Sequence, residues 1–355
     1  MTSPEPAAPG ARLRAEARAV AGSLFAFGPS RGRRWPLALQ AALAMAVPVV
    51  VLALTGHDDL ALLAATGAFT VIYGSWLRPR ERARFAPLVA LVLLACAAAG
   101  ALAAAGGTAT VLVGVLAVTV GAAALAGWIS LGPPGPIFFV LVFGLSAHLT
   151  AAGAVTPGPF LTVVAASSGF AVLLVLAPLL LPRYRREAAR PLRELFPRRW
   201  SAAAGALTQR AAIVGLVGVI AAAFVDPERS YWIVSAGLAV VGMPVGRREA
   251  TIRGVHRTVG TVVGAGLYLA LALLPLPMWA LGLLLGALQF VIELVVVRHY
   301  ALALVFITPL VLLIIGSAGG ETTSFALALE RVADTIIGAV VGTAAALAVR
   351  RLRAD

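Results

Sequence analysis

Apolar runs of membrane length alternating with short arginine clusters limit this chain more than any other feature. Residues 231–268 show the unit. YWIVSAGLAVVGMPVGRREATIRGVHRTVGTVVGAGLY is an apolar run, then a hinge with Arg247, Arg248, Arg253 and Arg257 against only Glu249, then a second apolar run. A helix needs about 20 mostly apolar residues to cross the hydrocarbon of a bilayer. Arginines clustered between two such runs hold the loop on the cytoplasmic side. The second run carries Gly260 and Gly264 at the small-xxx-small spacing that lets two helices approach closely in lipid.

Only 12 % of the 355 residues are charged, 61 % are hydrophobic, and the mean hydropathy is +0.97. A soluble domain carries about 25 % charge, so the chain reads as one all-α polytopic membrane unit in a lipid bilayer. The net charge of +13 is not read as a nucleic-acid footprint. The arginines sit at the ends of apolar runs, where they signal topology and attract anionic headgroups. The chain has no lysine, hence no Gly-x-x-x-x-Gly-Lys phosphate loop, and ATP-driven transport by this chain alone is excluded. The single Cys96 and the dispersed His57, His148, His256 and His299 offer neither a disulfide nor metal-ligand spacing. No cofactor and no enzyme motif is expected.

Spans are expected near 36–55, 60–77, 86–105, 109–131, 135–151 and 158–181, and again near 208–225, 230–246, 256–274, 277–296, 299–316 and 327–349, about twelve in all. The weakest are 135–151, which starts in Gly132-Pro133-Pro134-Gly135-Pro136, and the pair divided by Pro275 and Pro277. The organisation is then a cytoplasmic segment 1–35, a six-helix repeat 36–181, a basic linker 182–207, a second repeat 208–349 and a tail 350–355. The first 35 residues have no long apolar core and do not read as a cleaved signal peptide. Residues 11–27 read either as a surface helix on the inner leaflet, apolar at Leu24, Phe25 and Phe27, or as a disordered tail.

Loop charges support this layout. Basic clusters lie at Arg31, Arg33 and Arg34; at Arg78, Arg80, Arg82 and Arg84; at seven arginines from Arg183 to Arg199; in the hinge; at Arg298; and at Arg350, Arg351 and Arg353. The alternate loops hold Asp58 and Asp59, Asp226 and Glu228 beside Arg229, and Glu321. Both termini are therefore expected in the cytoplasm of a cell with this protein in its inner membrane. Arg33-Arg34-Trp35 recurs as Arg198-Arg199-Trp200, and Arg78 and Arg84 align with Arg247 and Arg253. An even number of spans per half makes the two repeats parallel. Arg257-Thr258-Val259-Gly260 through Gly264 also echoes Arg331-Val332-Ala333-Asp334 through Gly338, which hints at an inverted sub-repeat.

Charges within spans are functional candidates by default. Arg331 and Asp334 lie one turn apart on one helix face. They read as an anion contact beside a proton-exchanging carboxylate, or as an ion pair snorkelling to the headgroups. Glu293 is either a second proton-coupling carboxylate or the partner of an arginine at the inner interface. Tyr231 and Trp232 are either interfacial anchors or a stacking wall for substrate, and Arg257 is a topology signal or an anion contact. Arg210 reads as an interface residue. Thr308-Pro309 and the glycine-rich spans suggest kinked helices along a cavity.

Tyr231-Trp232, the hinge, Arg257-Thr258-Val259-Gly260-Thr261 with Gly264, Arg298-His299-Tyr300-Ala301-Leu302-Ala303, Phe306-Ile307-Thr308-Pro309, and Arg331 with Asp334-Thr335 and Gly338 together resemble the FUSC family. That family comprises the fusaric acid resistance and aromatic acid exporter proteins, with plant aluminium-activated malate transporters as distant relatives. The resemblance is strongest over 200–350. It implies a plasma-membrane efflux protein for aromatic or other organic carboxylates, driven by protons. The alternatives are a passive organic-anion channel and a non-transporting scaffold. The large cytosolic domain of many members has no counterpart in this linker or tail. Substrate, coupling and any homo-oligomer stay open.

Overall fold

The computed structural model describes residues 9–29, 32–243, 246–318 and 324–349. Arg31, Glu321 and the tail arginines Arg350, Arg351 and Arg353 lie outside the described residues. Every regular element among those described is helical.

A helix at Pro9–Ser23 precedes the bundle. The bundle starts with α1 (Trp35–Leu54), followed by a broken element, α2, made of Asp58–Ala61, a 3-10 stretch Leu62–Ala68 and Phe69–Ile72. Then come α3 (Pro79–Ala105), α4 (Gly107–Trp128), α5 (Ile137–Ala151) and α6 (Pro157–Leu176). After the linker follow α7 (Ala202–Val225), α8 (Ser230–Val241), α9 (Arg247–Ala272), α10 (Met278–Val295), α11 (Tyr300–Ala318) and α12 (Phe325–Ala348).

Among the described residues, seven helices are long and apolar enough to cross a membrane, namely α1, α3, α4, α6, α7, α9 and α10. The chain is a multi-pass membrane protein. Of the other expected spans, α5 and α8 are shorter, α2 is broken, α11 is a 19-residue helix with Pro309 inside it, and α12 carries Glu330, Arg331 and Asp334. Hydropathy also placed two starts too late. α3 begins at Pro79 rather than near 86, and α9 at Arg247 rather than near 256. Both helices run on into the basic loops, since arginine favours helix. At α3, Pro79 takes the first helical position and Glu81 accepts the Arg78 backbone N–H at 3.2 Å, an N-terminal stop.

The packing partners follow one scheme in each half. In the first, α1 meets α2 and α6, α2 meets α6, and α3 meets α5 and α6. In the second, α7 meets α8 and α12, α8 meets α12, and α9 meets α11 and α12. Between the halves, α1 lies along α10 and α7 along α4, while α2 touches α11 and α8 touches α5. Small residues set these approaches. A Cβ at Gly264 would lie 2.8 Å from Thr308 Cβ and 2.9 Å from Leu304 O, so α9 and α11 close to backbone contact. Gly338 faces the Ile233 carbonyl and Ala236 at the α8–α12 crossing.

The short elements are innermost. Every residue of the 3-10 stretch Leu62–Ala68 is buried, as are nearly all of α8. Elements enclosed on all sides carry no amphipathic stripe and need not match the bilayer's thickness.

The linker is clamped to the arginine-rich end of the bundle. Buried Glu81 accepts from Arg190 Nε at 3.0 Å, from its Nη2 at 3.3 Å and from its backbone N–H at 3.2 Å. Phe196 stacks on Phe85 with ring centres 4.5 Å apart.

Candidate functional site

The charges that the sequence singles out converge where α8, α9, α11 and α12 meet. α12 projects Arg331 and Asp334 from adjacent turns, and both are buried, at 3 % and 1 % exposure. Trp232, fully buried at the start of α8, lies under Arg331, whose guanidinium carbon is 4.9 Å from the ring centre. Tyr231 is buried beside it, 6.1 Å from Trp232 in a T-shaped pair. Arg257 reaches in from α9, buried, and donates from Nη1 to the Tyr300 hydroxyl of α11 at 3.0 Å. Arg331 is within electrostatic reach of Arg257, Asp334, Tyr231 and Tyr300.

Two guanidiniums and one carboxylate leave this group net cationic, and the positive end of the α8 dipole adds to it. Its hydrogen bonding is incomplete. Arg331 Nε and Nη1, Arg257 Nε, Trp232 Nε1, Asp334 Oδ2 and the hydroxyls of Tyr231, Ser235 and Thr335 are all buried without a hydrogen-bond partner. No ion pair within 4.0 Å joins Arg331 to Asp334 among the described residues. A buried unpaired charge costs several kcal/mol, and charged residues within membrane spans are functional candidates by default.

Tyr231 also belongs to a second wall. Thr66 and Phe69 of α2, Leu141 and Leu145 of α5, Tyr231, and Leu310, Val311, Ile314 and Ile315 of α11 line a narrow apolar cavity between the halves. Its free space of about 20 Å³ admits one water, whereas a small-molecule site needs about 300–1,000 Å³. The charged side chains of the cluster lie outside this lining and are themselves buried.

The end of the bundle holding Asp226 and Glu330 is closed by an ion-pair triad. Arg229 pairs with Glu330 and lies 3.6 Å from Asp226 Oδ2, while its guanidinium carbon stands 5.6 Å from the Trp232 ring centre. Trp232 thus contacts Arg331 and Arg229 together. Sequence reasoning missed this triad, whose members come from the α7–α8 loop and α12. Opposite charges in the α7–α8 loop and in the first turns of α12 were the available signal.

Glu293 lies apart from the cluster, near the arginine-rich end. Its Oε2 is 3.1 Å from Arg34 Nη2, its backbone carbonyl accepts from Arg34 Nε at 2.9 Å, and Gln289 donates to Oε1 at 3.2 Å. Of the two readings of Glu293, it has the arginine partner. Arg210 is buried and donates to the Val349 carbonyl at 3.2 Å. No group of three or more metal-ligating side chains occurs among the described residues.

Comparison with known proteins places the cluster within a recognised stretch. A Bacillus subtilis (strain 168) protein, "Uncharacterized membrane protein YvaC", is 34 % identical over 116 residues, which cover 32 % of this chain and 18 % of that protein. No solved structure matches. Residues 213–345, which hold Tyr231, Trp232, Arg257, Glu293, Arg331 and Asp334, match the sequence model described as fusaric acid resistance protein-like. The similarity to the fusaric acid resistance protein-like family thus lies in the α7–α12 half of this membrane protein.

Proposed function

We propose that this chain is a secondary transporter of the plasma membrane that exports aromatic or other organic carboxylates in exchange for protons. Both termini and the arginine-rich end then face the cytoplasm. The observation that carries the reading is Arg331: a buried guanidinium on the Trp232 face, with Nε and Nη1 unpartnered, within electrostatic reach of Arg257. A carboxylate there would accept from Arg331 and Arg257, and Tyr231 and Trp232 would form its apolar wall. Asp334, with Oδ2 unpartnered one turn away, is the group for the proton.

The reading includes twelve helical segments in two parallel six-helix repeats, supported by the matching partner schemes of α1–α6 and α7–α12. The halves differ in charge. α6, the counterpart of α12 in that scheme, is uncharged throughout, which makes one anion site per chain. A carrier is favoured over an open channel by the closed surroundings of the cluster, with ion pairs at one end and a cavity the size of a water between the halves. No covalent chemistry is assigned to the chain.

The test is uptake of a panel of aromatic acids by everted vesicles, with and without a protonophore, beside Arg331→Ala and Asp334→Asn. Uptake abolished by protonophore and by Arg331→Ala is expected. Asp334→Asn should lose the proton drive and keep substrate counterflow. Uptake indifferent to the protonophore would mean a passive path, and uptake indifferent to both substitutions would remove the cluster from the mechanism.

A further inference from the structure

The arginine-rich end of the cluster is covered by the segment that leads into α1. After the helix Pro9–Ser23, the chain lies against α9 at His256 and against the start of α11 at His299. The Ser23 hydroxyl is 2.9 Å from His256 Nε2 on α9. The Leu24 carbonyl is 2.9 Å from His299 Nε2, whose Nδ1 accepts the Leu302 backbone N–H at 3.0 Å. His299 is thereby the Nε2–H tautomer, donating to Leu24. Phe27 packs on the His299 ring at 4.9 Å, and the Gly28 N–H donates to the Arg298 carbonyl at 2.7 Å. Further along, Arg34 fastens the start of α1 to Glu293 of α10.

The positions gripped are the sequence neighbours of the cluster. His256 precedes Arg257, and His299 precedes Tyr300, so the segment is anchored on the immediate sequence neighbours of the two residues joined by the Arg257–Tyr300 hydrogen bond. The contacts that hold it are few and individually modest. Phe25 and Phe27 are 86 % and 57 % exposed, aromatic anchors suited to the headgroup layer. A segment tethered in the interface can slide off α9 and α11 without leaving the membrane surface.

We propose that Ser23 to Gly28 form a strap that closes the arginine-rich end of the buried site and must move aside for an anion to pass there. This rests on the cluster being a transported anion's site. The strap's position is tested without transport.

Two measurements decide it, both in a Cys96→Ala background. In the first, Gly28→Cys and Arg298→Cys are paired. A Cβ at Gly28 falls 3.7 Å from Arg298 Cα, within reach of a disulfide. Oxidation should stop uptake by everted vesicles and reduction restore it. Unchanged uptake in fully cross-linked protein would overturn the strap. In the second, Tyr300→Cys is labelled by an impermeant maleimide in everted vesicles, with the full chain and with residues 1–28 deleted. Labelling roughly tenfold faster after deletion is expected, and equal rates in folded proteins would overturn the strap. If the reduced pair transports nothing while the labelling rates differ, the transporter reading fails and the strap stands.

Discussion

Arg331 presents its guanidinium to the face of Trp232 at 4.9 Å, and neither group finds a hydrogen-bond partner for its buried N–H at Nε, Nη1 or Nε1. The ring's quadrupole offsets part of the cation's lost hydration and leaves the donors for a ligand. Stability and function should therefore separate at this position. Arg331→Met combined with Asp334→Leu should leave stability unchanged or raise it by about 1–4 kcal/mol, as replacing buried charges with apolar residues commonly does, while abolishing transport. Arg331→Lys keeps a charge but loses the planar fork, and should lower the rate roughly tenfold. Thermal unfolding in detergent beside uptake assays reads both effects.

Arg229 links the acidic-end triad to the same ring. Glu330→Gln removes one partly exposed pair, worth ~0.2–1 kcal/mol, and should speed labelling of Ser230→Cys from that face by up to about fivefold. Arg229→Ala removes the contacts to Glu330 and Asp226 and the Trp232 stack together, and should speed it more. Identical rates in wild type and both variants would show that the triad closes nothing.

Helix approach rests on particular glycines. At Gly338 a Cβ would meet the Ile233 carbonyl and lie 2.6 Å from Ala236 Cβ, so Gly338→Ala should destabilise by about 1–3 kcal/mol. At Gly266 a Cβ meets nothing within 4 Å, and Gly266→Ala should stabilise by up to about 1 kcal/mol. The two shifts in Tm should have opposite signs.

The linker carries seven arginines from Arg183 to Arg199, six of them trypsin sites because Arg190 precedes Pro191, yet Glu81 holds it to α3 through three contacts with Arg190. Glu81→Gln weakens all three. Trypsin should then cut between the halves roughly tenfold faster at unchanged Tm, because local opening, not global unfolding, limits cleavage. Equal cleavage would mean that Phe196 stacking alone holds the linker.

The membrane class, the arginine-marked loops and the charges of α9 and α12 were legible because each is a local signal: a run, a cluster or a one-turn spacing. Arg257, Arg331, Asp334, Tyr231 and Trp232 could be named from sequence, and the structure brings them together. Their gathering was not legible, since it depends on α8 and α11 packing beside α12 and α9. The 3-10 stretch of α2 and the shortness of α8 left no trace either, because a fully enclosed element has no periodicity to read. Arg34–Glu293, Arg229–Glu330 and the strap contacts join residues 259, 101 and 233 positions apart. Nothing in either local sequence announces such a partner.

The exchange of first helices has a consequence for biogenesis. α1 packs chiefly along α10, where Gly286 and Gly282 admit Ala46 and Val49, and α10 emerges roughly 220 residues after α1 ends. At ~5–20 residues per second of synthesis, α1 waits on the order of 10–45 s in lipid for its main neighbour. During that interval its small-residue face is open to any passing helix. α1 is thus committed to late docking: it finds its main neighbour only when the second half arrives.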